Sequence, residues 1–169
     1  MKRSMAAALI ALAALLCACA AQPQWETVED GCTQAATGEP GVIYVHLPAD
    51  AVEEVFSERG AQHVYTQPDG GYEITAQTMP AAPAGAIVRQ LAGFDEQALH
   101  VYETTTGGQT IWQFAWYAGS DEGGRLYRAK VITDGAYCYA LTFSAPELSG
   151  TSYDTTAAEL FSSMEVRQA

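Results

Sequence analysis

Three histidines, His46, His63 and His100, are the side chains of this chain that titrate nearest neutral pH, so proton transfer would begin with them. Converging imidazoles could also hold zinc. The three fall in or beside separate β-rich runs, and none has a second His or Cys at ligand spacing, so ordinary surface or hydrogen-bonded histidines are the better reading and no metal is expected. Acidic pairs stand at Glu53-Glu54, Asp95-Glu96 and Asp121-Glu122, and paired carboxylates can cleave glycosides or hold calcium. Sequence neighbours diverge on strands and helices, which makes these pairs solvated faces and turns. Seven tyrosines, Tyr65, Tyr72, Tyr102, Tyr117, Tyr127, Tyr137 and Tyr139, could line a sugar or peptide groove, although aromatics on strands more often pair across strands and fill the core. The chain carries no GxSxG, HExxH, phosphate loop, dinucleotide glycine fingerprint or EF-hand series. No catalytic residue and no cofactor emerges from this inventory. Acid-base work near neutrality would need a carboxylate shifted by burial, whereas the apolar runs are filled with Trp, Phe, Tyr and Leu.

The cysteines carry a sharper signal. Lys2 and Arg3 precede an uncharged stretch from Ser4 to Ala21 rich in Ala, Leu and Ile, the charged head and apolar body of a signal peptide. Its end, Leu16-Cys17-Ala18-Cys19, resembles the lipobox of bacterial lipoproteins, with an aliphatic residue three places before the cut and small residues next to it. Cys19 fits this pattern, whereas Cys17, directly after Leu16, does not. The resemblance implies cleavage before Cys19, a diacylglyceryl thioether on its sulfur and palmitate-type acyl chains. Residues 1–18 are then the leader, 19–24 the lipidated cysteine and a short tether, and 25–169 one domain. Two acyl chains anchor stably where one binds marginally. No later apolar run approaches the roughly 20 residues that a membrane span needs. The expected location is therefore the cell membrane or envelope, on the extracytoplasmic side, held through lipid on Cys19.

Removing the leader leaves 151 residues with six basic and twenty acidic side chains, a net charge of −14. Such a chain has enough length for one core. Its charge argues against nucleic acid, whose phosphates call for basic patches, and against electrostatic attachment to anionic lipid. Cys32 and Cys138 remain as thiols in an oxidising compartment, and a disulfide between them is the expected outcome. Buried single thiols are the alternative, and neither cysteine has the CxxC neighbour of a redox or metal site.

Element by element, residues 41–46 read as a strand. Asp50 as N-cap, Glu53, the stripe Val52, Val55 and Phe56, and Gly60 predict a short helix. Residues 61–67 and 71–79 form a hairpin about Pro68-Asp69-Gly70-Gly71. A helix over 84–92 buries Ile87, Val88 and Leu91 and stops at Gly93. Four β-rich runs, 98–105, 109–118, 124–134 and 136–145, are separated by short turns and predict an antiparallel meander. Apolar residues on both faces of 109–118 predict a central strand covered on both sides. Asp154 caps a last helix that buries Ala157, Leu160, Phe161 and Met164, and a strand follows at 164–167.

The fold class is α+β, an antiparallel sheet of about six to seven strands with helices packed on its faces. The run Asp134-Gly135-Ala136-Tyr137-Cys138-Tyr139-Ala140-Leu141-Thr142-Phe143-Ser144-Ala145-Pro146, followed by a helix containing Phe161 and then Met164-Glu165-Val166, resembles the closing strand and helix of PsbP-like domains. Leu91-Ala92-Gly93-Phe94 and the run from Ile111 to Trp116 are similar to small lipoproteins of that kind. The resemblance spans residues 41–167 and implies a PsbP-like sandwich with a binding or assembly role outside a membrane; no ligand residue is carried over. The expectation is a membrane-anchored, non-enzymatic module with an envelope protein as partner. The competing class is a small envelope hydrolase or ligand-capture lipoprotein whose polar residues converge only in three dimensions.

Overall fold

A nearly continuous apolar run, Tyr137–Pro146, builds the centre of the fold. The computed structural model describes residues 39–54, 62–119, 123–146 and 153–167. The chain divides into two units, Met1–Thr33 and Gln34–Ala169. The first, with Cys19, Cys32 and the expected leader and tether, lies outside the described residues.

In chain order the strands and helices are β1 (Val42–Tyr44), β2 (Val52–Glu54), β3 (Gln62–Thr66), β4 (Glu73–Pro80), α1 (Ala84–Ala92), β5 (Tyr102–Thr106), β6 (Gln109–Ala118), β7 (Arg125–Thr133), β8 (Tyr137–Pro146), α2 (Asp154–Ser163) and β9 (Glu165–Arg167). Seven of the strands form one antiparallel sheet in the order β2-β3-β4-β8-β7-β6-β5. The first and last strands form a separate antiparallel pair, with Ile43 opposite Val166.

Period-two alternation divides the strand residues between two apolar layers. Tyr139, Leu141 and Phe143 of β8 join Ile74 of β4 and Ile132 of β7 beneath Ala157 and Leu160 of α2 and Met164, with Ile43 and Val166 of the small ribbon alongside. Cys138 and Ala140 point the other way and join Met79, Val131, Trp112, Phe114 and Trp116 beneath Ile87 and Val88 of α1. The stripes expected on both helices are the buried ones, with Leu91 and Phe161 half-buried at their margins. Gly93 ends α1 with a left-handed φ of 75° and donates its N–H to the carbonyl of Arg89 at 3.0 Å, the stop expected of a glycine after a helix. The result is an α+β sandwich.

Three expectations change. Where a helix was expected from Asp50, β2 pairs with β3, placing Val52 opposite Thr66 and Glu54 opposite Val64. The carboxylate of Asp50 accepts from Tyr72 Oη at 2.5 Å and Gln67 Nε2 at 2.6 Å, so it is engaged by the hairpin and caps no helix. Val55, Phe56 and Gly60 lie outside the described residues. The strand expected at the centre, β6, is next to the edge strand β5: its Trp112, Phe114 and Trp116 are buried, while Ala115 and Tyr117 are exposed. The strand covered on both faces is β8. Finally, Asp154 is the first residue of α2 rather than its cap, and its carboxylate receives the Arg128 guanidinium.

Candidate functional site

The nine residues of α1 span about 13 Å, whereas a sheet of seven strands is about 29 Å across. One helix of that length leaves part of its face of the sheet open. The uncovered part is a groove of about 640 Å³ between the C-terminal half of α1 and the strands beneath it. Thr75 and Gln77 of β4 and Thr142 of β8 line its sheet side, joined by Gln62 of β3. The register explains this grouping, because Thr75 lies opposite Thr142, and Gln77 opposite Gln62. Trp116 of β6 and Tyr127 of β7 are cross-strand partners, and their rings stack with centroids 5.1 Å apart and planes 13° from parallel. They form an aromatic wall; Gln90 and Leu91 of α1 contribute from the helix side.

Among the described residues no Asp, Glu, Lys, Arg or His lines this groove. Gln62, Thr75, Gln77, Gln90 and Thr142 make no side-chain hydrogen bond to another described residue, so their donors and acceptors are open to solvent or ligand. The arrangement can bind an uncharged polar molecule. It offers no proton donor or acceptor poised near neutral pH.

The residues singled out in the sequence do not converge. His46, His63 and His100 are all exposed on different segments. The backbone N–H of His46 donates to Ser163 Oγ at 3.0 Å, His63 Nδ1 lies 3.0 Å from Glu53 Oε1, and His100 borders a second hollow of about 500 Å³ beside Leu99, Gln113 and Phe161. Among the described residues no three His, Cys, Asp or Glu side chains are grouped to hold a metal ion. Glu54 accepts from Thr66, Asp95 pairs with Arg89 at 2.7 Å, and Glu96 opens a single helical turn, so two acidic pairs belong to the surface. Asp121 and Glu122 lie outside the described residues. Cys138 is a free thiol with no exposed surface, and burial pushes its pKa up; with Cys32 outside the described residues, the expected bridge is absent from the described structure.

Tyr72 and Tyr139 are core residues whose phenols are pushed up first by burial. Tyr139 Oη donates to Asp134 at 2.9 Å and accepts the backbone N–H of Gly41 at 2.9 Å. Lys130, lowered by burial, donates from Nζ to the Phe161 carbonyl at 2.6 Å near the end of α2. None of these shifted groups borders the main groove. Tyr127 does, and of its neighbours Gln62, Thr75, Gln77 and Thr142 were passed over in the sequence. Their signal is the polar half of an alternation, Thr75 and Gln77 interleaved with the buried Ile74 and Ala76 on a strand that is internal to the sheet.

The fold is an α+β sandwich with a cleft on one face whose described lining carries no charge, and it is similar to solved PsbP-type structures. The solution structure of the cyanobacterial PsbP protein CyanoP from Synechocystis aligns over 80% of this chain and 98% of its own, at 11% identity and a TM-score of 0.54. LpqN of Mycobacterium tuberculosis, described as involved in cell envelope biogenesis, aligns over 77% of this chain and 87% of its own, at 21% identity and a TM-score of 0.50. A crystal structure from Bacteroides thetaiotaomicron aligns over 75% of this chain, at 16% identity and a TM-score of 0.50, and the match spans 45% of that protein. These likenesses establish the fold. No family model and no curated protein sequence matches the chain.

Proposed function

We propose that this protein is a lipid-anchored module of the cell envelope that binds a ligand or partner on the extracytoplasmic side without turning it over. The observation that carries the reading is the groove beside α1: a sizeable concave site lined by amides, hydroxyls, aromatic rings and the apolar Met79, Pro80 and Leu91, with no charged side chain among its described residues. Proton transfer near neutral pH or metal-assisted hydrolysis needs a carboxylate, an imidazole or a ligand set facing the substrate, and the groove's described lining holds none. Support for the location comes from the leader and the lipobox-like Leu16-to-Cys19 run, and from the shared fold of LpqN, a protein involved in cell envelope biogenesis.

The test uses the full, processed protein in isolated membranes. A photo-crosslinking amino acid at Gln90, exposed on the groove's helix side, should give discrete adducts, whereas the same group at Thr105 on the exposed edge strand should not. The purified protein should be inactive in a screen of ester, peptide, glycoside and phosphate hydrolysis. Turnover abolished by replacing His46, His63 or His100 would refute the reading in favour of an envelope hydrolase.

A further inference from the structure

We infer that the groove beside α1 binds a neutral oligosaccharide, a ligand assignment that rests on the reading of this protein as a non-catalytic binding module. Its lining excludes other classes in turn. A phosphate, a carboxylate or an amine would be met by charge-assisted hydrogen bonds, and no charged side chain is present among the described lining residues. A peptide that binds as an added strand takes its main-chain hydrogen bonds from a free sheet edge. The groove lies instead on the face of β3, β4 and β8, each already paired with a strand on both sides. An acyl chain would suit Met79, Pro80 and Leu91, but it would also strip water from Gln62, Gln77, Thr75 and Thr142 while returning no hydrogen bond, and unpaired polar groups are costly to bury.

A sugar chain answers the same lining. Each hydroxyl both donates and accepts, as do the glutamine amide and the threonine hydroxyl, so the open groups of Gln62, Gln77, Gln90 and Thr142 match it without a charge on either side. The C–H face of a pyranose is apolar, and Trp116 and Tyr127 supply the aromatic wall that such a face packs against. The volume, about 640 Å³, lies within the range of small-ligand sites and is far below what a folded partner would fill.

The experiment titrates maltohexaose, cellohexaose and chitohexaose into the full, lipidated protein, held in a detergent without a sugar headgroup, and follows heat and tryptophan fluorescence. At least one should saturate, with a Kd on the order of 0.1–1 mM. Gln77→Ala and Tyr127→Leu should each weaken that affinity by about tenfold or more, while circular dichroism and the unfolding midpoint hold. Should either variant fail to fold, Gln62→Ala at the rim carries the same expectation. No saturation by any of the three, or equal affinity in the folded variants, overturns the assignment. The two readings fail separately. Adducts at Gln90 that persist without sugar binding would leave a binding module with another ligand, whereas sugar binding accompanied by new reducing ends would keep the ligand and refute the absence of turnover.

Discussion

At Asp50 a carboxylate on an exposed turn is held by two side chains from the hairpin, Tyr72 Oη first and Gln67 Nε2 second, and both hold its pKa below the ordinary value of 3.8. A carboxyl depressed by folding contributes stability above its unfolded pKa, and that contribution is lost as pH falls through the folded value. In Tyr72→Phe the larger cause is gone, so the Asp50 titration followed by NMR should move upward, and stability should fall less steeply below about pH 4. An unmoved titration would show that the hydrogen bond does not set this pKa. Burial and that same bond push the Tyr72 phenol the other way, well above its ordinary 10, so it stays protonated where exposed tyrosines ionise. Cys138 shows burial acting on a thiol: with no exposed surface and a raised pKa, it should resist alkylation in the native protein and react on denaturation without reductant. Peptide mapping that finds Cys138 reactive only after reduction would restore the bridge to Cys32, a loop of about a hundred residues that the chain-entropy model credits with roughly 4–5 kcal/mol.

At the scale of elements, β6 buries three large aromatic side chains on one face, and its placement decides what a substitution costs. Trp112 is buried at 7% exposure beneath the α1 layer, and its Nε1 donates to Glu103 on the edge strand at 2.8 Å. Trp112→Ala should therefore cost about 3–5 kcal/mol in chemical denaturation. A loss below about 1 kcal/mol would mean that the site is open rather than packed. The expected penalty was legible in the sequence because alternation alone marks Trp112, Phe114 and Trp116 as one face. The strand's position in the sheet was not, since the order β4-β8-β7 depends on a pairing between segments about seventy residues apart, such as Ile74 with Phe143. Both helices and the hairpin were readable for a local reason, with stripes at three and four residues and Gly93 and Gly70 at positive φ. The helix expected from Asp50 failed because its cap was claimed by Tyr72, twenty-two positions away. The groove was hidden for a similar reason. It exists because α1 is too short for its sheet, and its polar residues come from three strands and a helix that meet only after folding.

For the whole molecule the question is what holds an acidic domain at a surface that is itself acidic. The mature chain after residue 18 carries −14, so the anionic face of a bilayer repels it, and among the described residues no helix is long and apolar enough to cross a membrane. On the reading proposed above, attachment is by lipid on Cys19, and two consequences of it can be separated. Because a thioether needs the thiol, Cys19→Ala should abolish incorporation of a fatty-acid probe and leave a longer, uncut precursor on gels. Cys17→Ala, which leaves Leu16 and Cys19 at their spacing, should be labelled and cut as before. Because two acyl chains bind through the hydrophobic effect, washing membranes at about 1 M salt, where the Debye length is about 3 Å, should release none of the unsubstituted protein, whereas detergent should release all of it. Labelling that survives Cys19→Ala would remove the lipobox from the account, and release by salt would mean that a basic partner, rather than lipid, holds the domain in place.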